Sequence, residues 1–140
     1  LEPDEKTLRG KGIDVFVWDG NVSFEERIAL DLPWEGVKEM LQFVIERSSE
    51  QCVCDAVNCR LGSELLDSLD SWEDGVDLRQ AIGKYVKESR DGDNPKGKGL
   101  FKSMGGGKRL GDIIVKYIEQ IPQTDIAKKV CELRTWIDKD

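Results

Sequence analysis

One short run, Ile-Asp-Val-Phe-Val-Trp at residues 13–18, is the only convincing β-strand in this chain, and most of the residues after it repeat at a helical period. It is apolar or β-branched on both faces and is bounded by Gly12 before it and Asp19-Gly20-Asn21 after it. A strand buried on two sides belongs inside a sheet with helices on both faces. This chain offers no obvious neighbour for it. The expected class is therefore α/β but mostly helical: the remnant of a parallel sheet begun upstream, with a strand near 13–18, followed by a helical C-terminal bundle. The chain opens abruptly at Leu1-Glu2-Pro3-Asp4 without an initiator methionine, so residues 1–140 are expected to be a single domain or a fragment.

The helical part is marked by local signals. Ser23-Phe24-Glu25-Glu26 reads as a capping box that starts a short helix over 24–30. Pro33 suits the first turn of the next helix, which runs to about Arg47 and buries Val37, Met40, Leu41, Val44 and Ile45 on one face. A helix over 50–60 ends at Gly62, and Leu65, Leu66, Leu69 and Trp72 suggest another turn or two. Val76–Glu88 is helical through Leu78, Ile82, Tyr85 and Val86. Leu110, Ile113, Ile114, Tyr117 and Ile118 mark a helix that stops before Pro122, and Thr124 caps the last one, with a stripe of Ile126, Val130, Leu133 and Ile137.

Composition limits the function. The chain of 140 residues carries a formal net charge of −7, which disfavours a protein whose whole surface grips nucleic acid, so any such contact must be local. The longest apolar runs are too short to cross a bilayer, and the first residues lack the pattern of a signal peptide, which points to a cytoplasmic protein with no membrane partner. Four cysteines at 52, 54, 59 and 131 stand in a chain without histidine. Their spacing does not make paired zinc knuckles, and reduced, partly buried thiols are expected.

Against that acidic background, residues 90–109 crowd glycine and lysine together. Arg90, Lys96, Lys98, Lys102, Lys108 and Arg109 face only Asp91 and Asp93, and Leu100-Phe101 forms an apolar pair able to anchor the loop while presenting Lys102. The stretch is either a phosphate-binding loop or a flexible, solvated linker between helices. It is not a Walker loop: Lys102 stands where the early glycine belongs and Arg109 where serine or threonine would come after Lys108. Glu25 and Glu26 lie just past the end of the strand, where α/β sheets gather ligands, although acidic residues in a first helical turn also simply complement its dipole.

The run Gly-Ile-Asp-Val-Phe-Val-Trp-Asp-Gly-Asn-Val-Ser-Phe-Glu-Glu-Arg-Ile-Ala-Leu-Asp-Leu-Pro-Trp at 12–34, with Leu-Phe-Lys and Leu-Gly-Asp-Ile-Ile further along, resembles the C-terminal part of the ATP-dependent OLD-family (overcoming lysogenization defect) endonucleases. The resemblance spans about Leu8 to Trp136. It implies a Toprim-like sheet remnant at 13–18 and a share in a metal-dependent endonuclease that cuts DNA, often in phage defence. The Toprim signature, an early glutamate and an Asp-x-Asp, and an ABC-type ATPase that uses ATP, would lie upstream of Leu1. It also implies a parent that assembles as a homo-oligomer, and a fragment that is inactive alone.

Carried onto this sequence, the family's later acidic residue matches Glu25, with Glu26 the close rival, and its catalytic lysine in a Trp-Phe-Lys-like motif matches Lys102. Leu100 stands where the family often has tryptophan. Asp19 and Asp31 are further candidate metal ligands, less certain than the glutamates, and Lys96, Lys98, Lys108 and Arg109 are candidate contacts to DNA phosphates. Mg2+ or Mn2+ would suit hard carboxylate ligands, and the lysine would neutralise charge building on the scissile phosphate. A reading from a different class also fits the residues: a non-catalytic helical protein-interaction module in which the glycine-rich stretch is a connector.

Overall fold

The computed structural model describes residues 4–15, 20, 22–62, 68–90 and 99–139. Among them lie seven α-helices: α1 (Glu5–Gly10), α2 (Phe24–Asp31), α3 (Trp34–Arg47), α4 (Glu50–Leu61), α5 (Val76–Glu88), α6 (Met104–Tyr117) and α7 (Asp125–Ile137). Short 3-10 turns occupy Leu69–Ser71, Leu100–Lys102 and Ile118–Gln120. No strand occurs among the described residues: 13–15 form irregular backbone, and 16–18, the rest of the expected strand, lie outside the described part. The protein is mostly helical, as expected, and the sheet remnant is not seen. No helix among the described residues is long and apolar enough to cross a membrane.

Local signals set most helix ends. Ser23 Oγ accepts from Glu26 N–H at 3.3 Å while Glu26 Oε2 accepts from Ser23 N–H at 2.7 Å, which completes the capping box at the start of α2. Ser49 and Thr124 cap α4 and α7 through their side-chain oxygens, and α4 stops at Gly62. In α4, Cys54 faces the core while Cys52 and Cys59 are exposed.

The core forms where α2, α3, α5 and α6 meet, around Ile28, Leu32, Met40, Leu41, Ile82 and Leu110, with α4 adding Val53 and Val57. The most extensive contact is between α2 and α5, and a glycine makes it possible. A Cβ on Gly83 would lie 2.8 Å from Glu26 Cα and 3.3 Å from Ala29 Cβ, so the two backbones approach closer than any side chain allows. Arg79 then bolts the pair together. Its Nη1 donates to the carbonyls of Ala29 (3.2 Å), Leu30 (3.2 Å) and Leu32 (2.6 Å), the groups that the end of α2 leaves without intrahelical partners. Asp74 balances its charge at 2.5 and 2.9 Å, and those bonds hold the Asp74 carboxyl below its ordinary range.

Two further clamps are ionic. Asp31, 9 % exposed, accepts from Arg27 at 2.9 Å and from the Ile126 amide at 2.9 Å, so it caps α7 from another helix. Between α3 and α6, Lys116 and Tyr117 both donate to Glu39 Oε1, at 2.5 and 2.6 Å, and keep the Glu39 carboxyl low. The last helix departs from expectation. Ile126 is buried, but Val130, Leu133 and Ile137 are 40 %, 42 % and 64 % exposed, so the stripe runs beyond the body of the bundle.

Candidate functional site

The turn that carries Lys102 packs against the C-terminal end of α5. After Glu88 the chain leaves the helix, and it returns at residue 99, where the Leu100 amide donates to Ser89 O at 2.8 Å. That bond seats the turn Leu100–Lys102 against the end of α5. Leu100 and Phe101 are 3 % and 6 % exposed, and the Phe101 ring lies 5.3 Å from the ring of Phe43 on α3. Lys102 is exposed. The apolar pair is thus the anchor and the lysine its outward tip, in line with the sequence pattern.

The glycines after Ser103 are not a linker. Ser103 Oγ accepts from the Gly106 amide at 3.1 Å and donates to Leu100 O at 2.7 Å, so 104–109, the end of the glycine-rich stretch, are the first turns of α6. Three glycines in a row disfavour a helix. Here the fold demands one of them, because a Cβ on Gly106 would lie 2.0 Å from Leu100 O. The 100–102 turn and the start of α6 form one unit that no larger residue at 106 permits.

One described cation, Arg90, lies near the stem of Lys102. A Cβ on Gly99 would lie 3.3 Å from Arg90 Nη1, 3.5 Å from Lys87 O and 3.7 Å from Lys102 Cδ, which places Arg90, the end of α5 and the lysine stem around one glycine. Arg90 Nη1 donates to the backbone carbonyls of Glu88 (3.0 Å) and Ser89 (3.1 Å). Among the described residues no carboxylate forms an ion pair with Lys102 or Arg90. On the other flank of the same helix end, Lys87 Nζ lies 3.8 Å from Glu26 Oε2. Burial pushes Glu26 up, but the Ser23 amide and hydroxyl with the Lys87 and Lys84 ammonium groups outweigh it and hold the carboxyl below its ordinary range.

The other candidates divide. Glu26 fits a metal ligand poorly, since its Oε2 accepts from the Ser23 amide and faces the Lys87 ammonium, so half of the carboxylate already serves the helix cap. Glu25 is buried, at 4 % exposure. Asp31 serves the α2–α7 junction. Lys108 pairs with Asp112 at 3.2 Å on the surface of α6, and Arg109 reaches Glu46 at 3.7 Å. Asp19, Lys96 and Lys98 lie outside the described residues. Among those described, no group of three or more histidine, cysteine, aspartate or glutamate side chains is arranged to hold a metal ion, so the described part does not by itself form a Mg2+ or Mn2+ centre.

Two contributors escaped the sequence reading. Lys87 reads as a solvated helix residue until the fold puts it between Glu26 and the 99–102 turn. Arg47 stands one helical turn after Phe43, with its Cζ 5.4 Å from that ring, and the i,i+4 spacing of the two was the available signal. Comparison with known protein families, with curated proteins and with solved structures finds no match to this chain.

Proposed function

We propose that this chain is the C-terminal part of a metal-dependent DNA endonuclease of the OLD-like Toprim type, acting in the cytoplasm and in phage defence, in which Lys102 meets the scissile phosphate. The observation that carries the reading is the seating of Lys102: two buried residues fix its backbone, Arg90 lies beside the same glycine, and no described carboxylate neutralises either cation. A lysine fixed in that way raises local positive potential in a protein of net charge −7, at the one place where the sequence resemblance puts a catalytic lysine. The chemistry assigned to this chain's residues is limited. Lys102 and Arg90 hold a phosphate and stabilise charge on it, and Glu25 offers one carboxylate to a metal centre completed elsewhere in the parent, which would supply an activated water.

The test is plasmid cleavage by the full-length parent with Mg2+ or Mn2+. The parent is expected to cut, and the Lys102→Ala and Glu25→Ala variants to lose about 100-fold or more in rate, the scale of removing a transition-state charge stabiliser. Wild-type rates in both variants would overturn the assignment. A chain of residues 1–140 alone is expected to cut nothing.

One observation favours a second reading, a non-catalytic interaction module: the exposed stripe of Val130, Leu133 and Ile137 with Trp136 on α7. The reading frame upstream of residue 1 separates the two. An ATPase and an Asp-x-Asp after a strand support the nuclease, and a native start codon at this point supports the module.

A further inference from the structure

Lys102 is exposed, and the place of its ammonium is set first by the backbone that carries it. The Leu100 amide ties the start of that turn to Ser89 O at 2.8 Å, and the Lys102 amide closes the turn on Gly99 O at 2.8 Å. The far end depends on one hydroxyl. Ser103, the next residue, donates from Oγ to Leu100 O at 2.7 Å and accepts at the same atom from the Gly106 amide at 3.1 Å. A hydroxyl has one proton to give and lone pairs to accept with, so it holds both partners at once. Capping α6 needs only the accepted bond. The donated bond goes beyond the cap, and it reaches the carbonyl oxygen that lies 2.0 Å from where a Cβ on Gly106 would stand. Leu100 O is therefore pressed close over the start of α6, and Ser103 Oγ holds it there.

We propose that Ser103 is the positioning residue of Lys102: its hydroxyl locks the Leu100–Lys102 turn to the first turn of α6, so that the lysine meets the phosphate in one place. This inference rests on the nuclease reading and deepens it by naming the residue that fixes the backbone of the reacting lysine. Ser103 itself touches no phosphate. It acts through Leu100 O and through the peptide it shares with Lys102. A misplacement of about 1 Å in a catalytic group costs up to about 100-fold in rate. Two backbone bonds and the buried Leu100 and Phe101 still hold the turn without the hydroxyl, so the expected loss is smaller, about tenfold. It falls on kcat and leaves KM unchanged, because a lysine that neutralises charge building on the scissile phosphate acts in the transition state.

Plasmid cleavage by the full-length parent with Mg2+ or Mn2+, measured for Ser103→Ala, Ser103→Thr, Lys102→Ala and the Ser103→Ala/Lys102→Ala double variant, tests this role. Ser103→Ala is expected to lose about tenfold in kcat with KM unchanged, and Ser103→Thr, which keeps a hydroxyl that both donates and caps, to stay within about threefold of the unaltered parent. Added to Lys102→Ala, the serine substitution is expected to change the residual rate by less than about twofold, because no lysine is left to misplace. Loss of folded enzyme, by contrast, would lower the rate by the same factor with or without Lys102. The role is overturned if Ser103→Ala cuts with the unaltered kcat, if its loss is as large in the Lys102→Ala background as in the unaltered parent, or if Ser103→Thr falls as far as Ser103→Ala. Wild-type cleavage by Lys102→Ala would remove the nuclease reading of this turn and the role of Ser103 with it. Loss of cleavage in Lys102→Ala beside full activity in Ser103→Ala would remove the role of Ser103 and leave the nuclease reading standing.

Discussion

The two sides of α5 use charge in opposite ways. Where α5 meets α2, charged groups are consumed by the fold: Arg79 satisfies three carbonyls, Asp31 caps α7 through the Ile126 amide, and Glu26 closes its own capping box. Where α5 ends, Arg90 is likewise engaged by the carbonyls of Glu88 and Ser89, whereas Lys102, beside the same Gly99, is exposed and pairs with no described carboxylate. Groups of the first kind are explained once the helices are in place. Lys102 differs in that the buried Leu100 and Phe101 fix its backbone while its side chain stays exposed.

Substitution can abolish that contrast. The largest effect is expected at Gly83, where a Cβ meets the Glu26 backbone. Gly83→Ala should lower stability by about 3 kcal/mol in urea unfolding, through overpacking of the closest helix contact. Arg79→Ala should cost about 2 kcal/mol by leaving carbonyls at the end of α2 unsatisfied, and Arg79→Lys should not restore it, because an ammonium cannot span Asp74 and three carbonyls as the guanidinium does. Asp31→Ala should cost about 1 kcal/mol, the scale of a lost cap.

A smaller effect is expected through pH. The folded Glu26 carboxyl sits below its unfolded value, so its contribution to stability is fully present above about pH 4.5 and disappears as pH falls through the folded value. Glu26→Gln should therefore flatten the fall in unfolding midpoint on acidification, measured by circular dichroism. A pH profile identical to that of the unaltered protein would contradict the capping role.

Legibility in the sequence depended on the range of each interaction. The capping box at Ser23 and Glu26, the stop at Gly62 and the cap at Thr124 lie within a few residues and were readable. So was the Leu100-Phe101 anchor, since an apolar pair amid glycine and lysine has only one way to be buried. Arg79 was not, because its carbonyl partners lie 47 to 50 residues away, and neither was the bond from Asp31 to Ile126 across 95. Local propensity misled at Gly105, Gly106 and Gly107, where the Ser103 cap and the close approach of Leu100 O override glycine's preference against helix. On α7 the apolar stripe announced that Val130, Leu133 and Ile137 favour a partner, but a period cannot say whether this chain supplies it. The strand expected at 13–18 finds no ladder at 13–15, and its remainder lies outside the described residues.

On the nuclease reading, Lys102 is dispensable to the fold and indispensable to the phosphate the fold receives. Urea unfolding of Lys102→Ala beside Arg79→Ala tests the first half directly. The expected result is a Lys102→Ala midpoint indistinguishable from that of the unaltered protein and a clearly lower one for Arg79→Ala. Equal losses in the two variants would make Lys102 one more structural charge and contradict its assignment to a site.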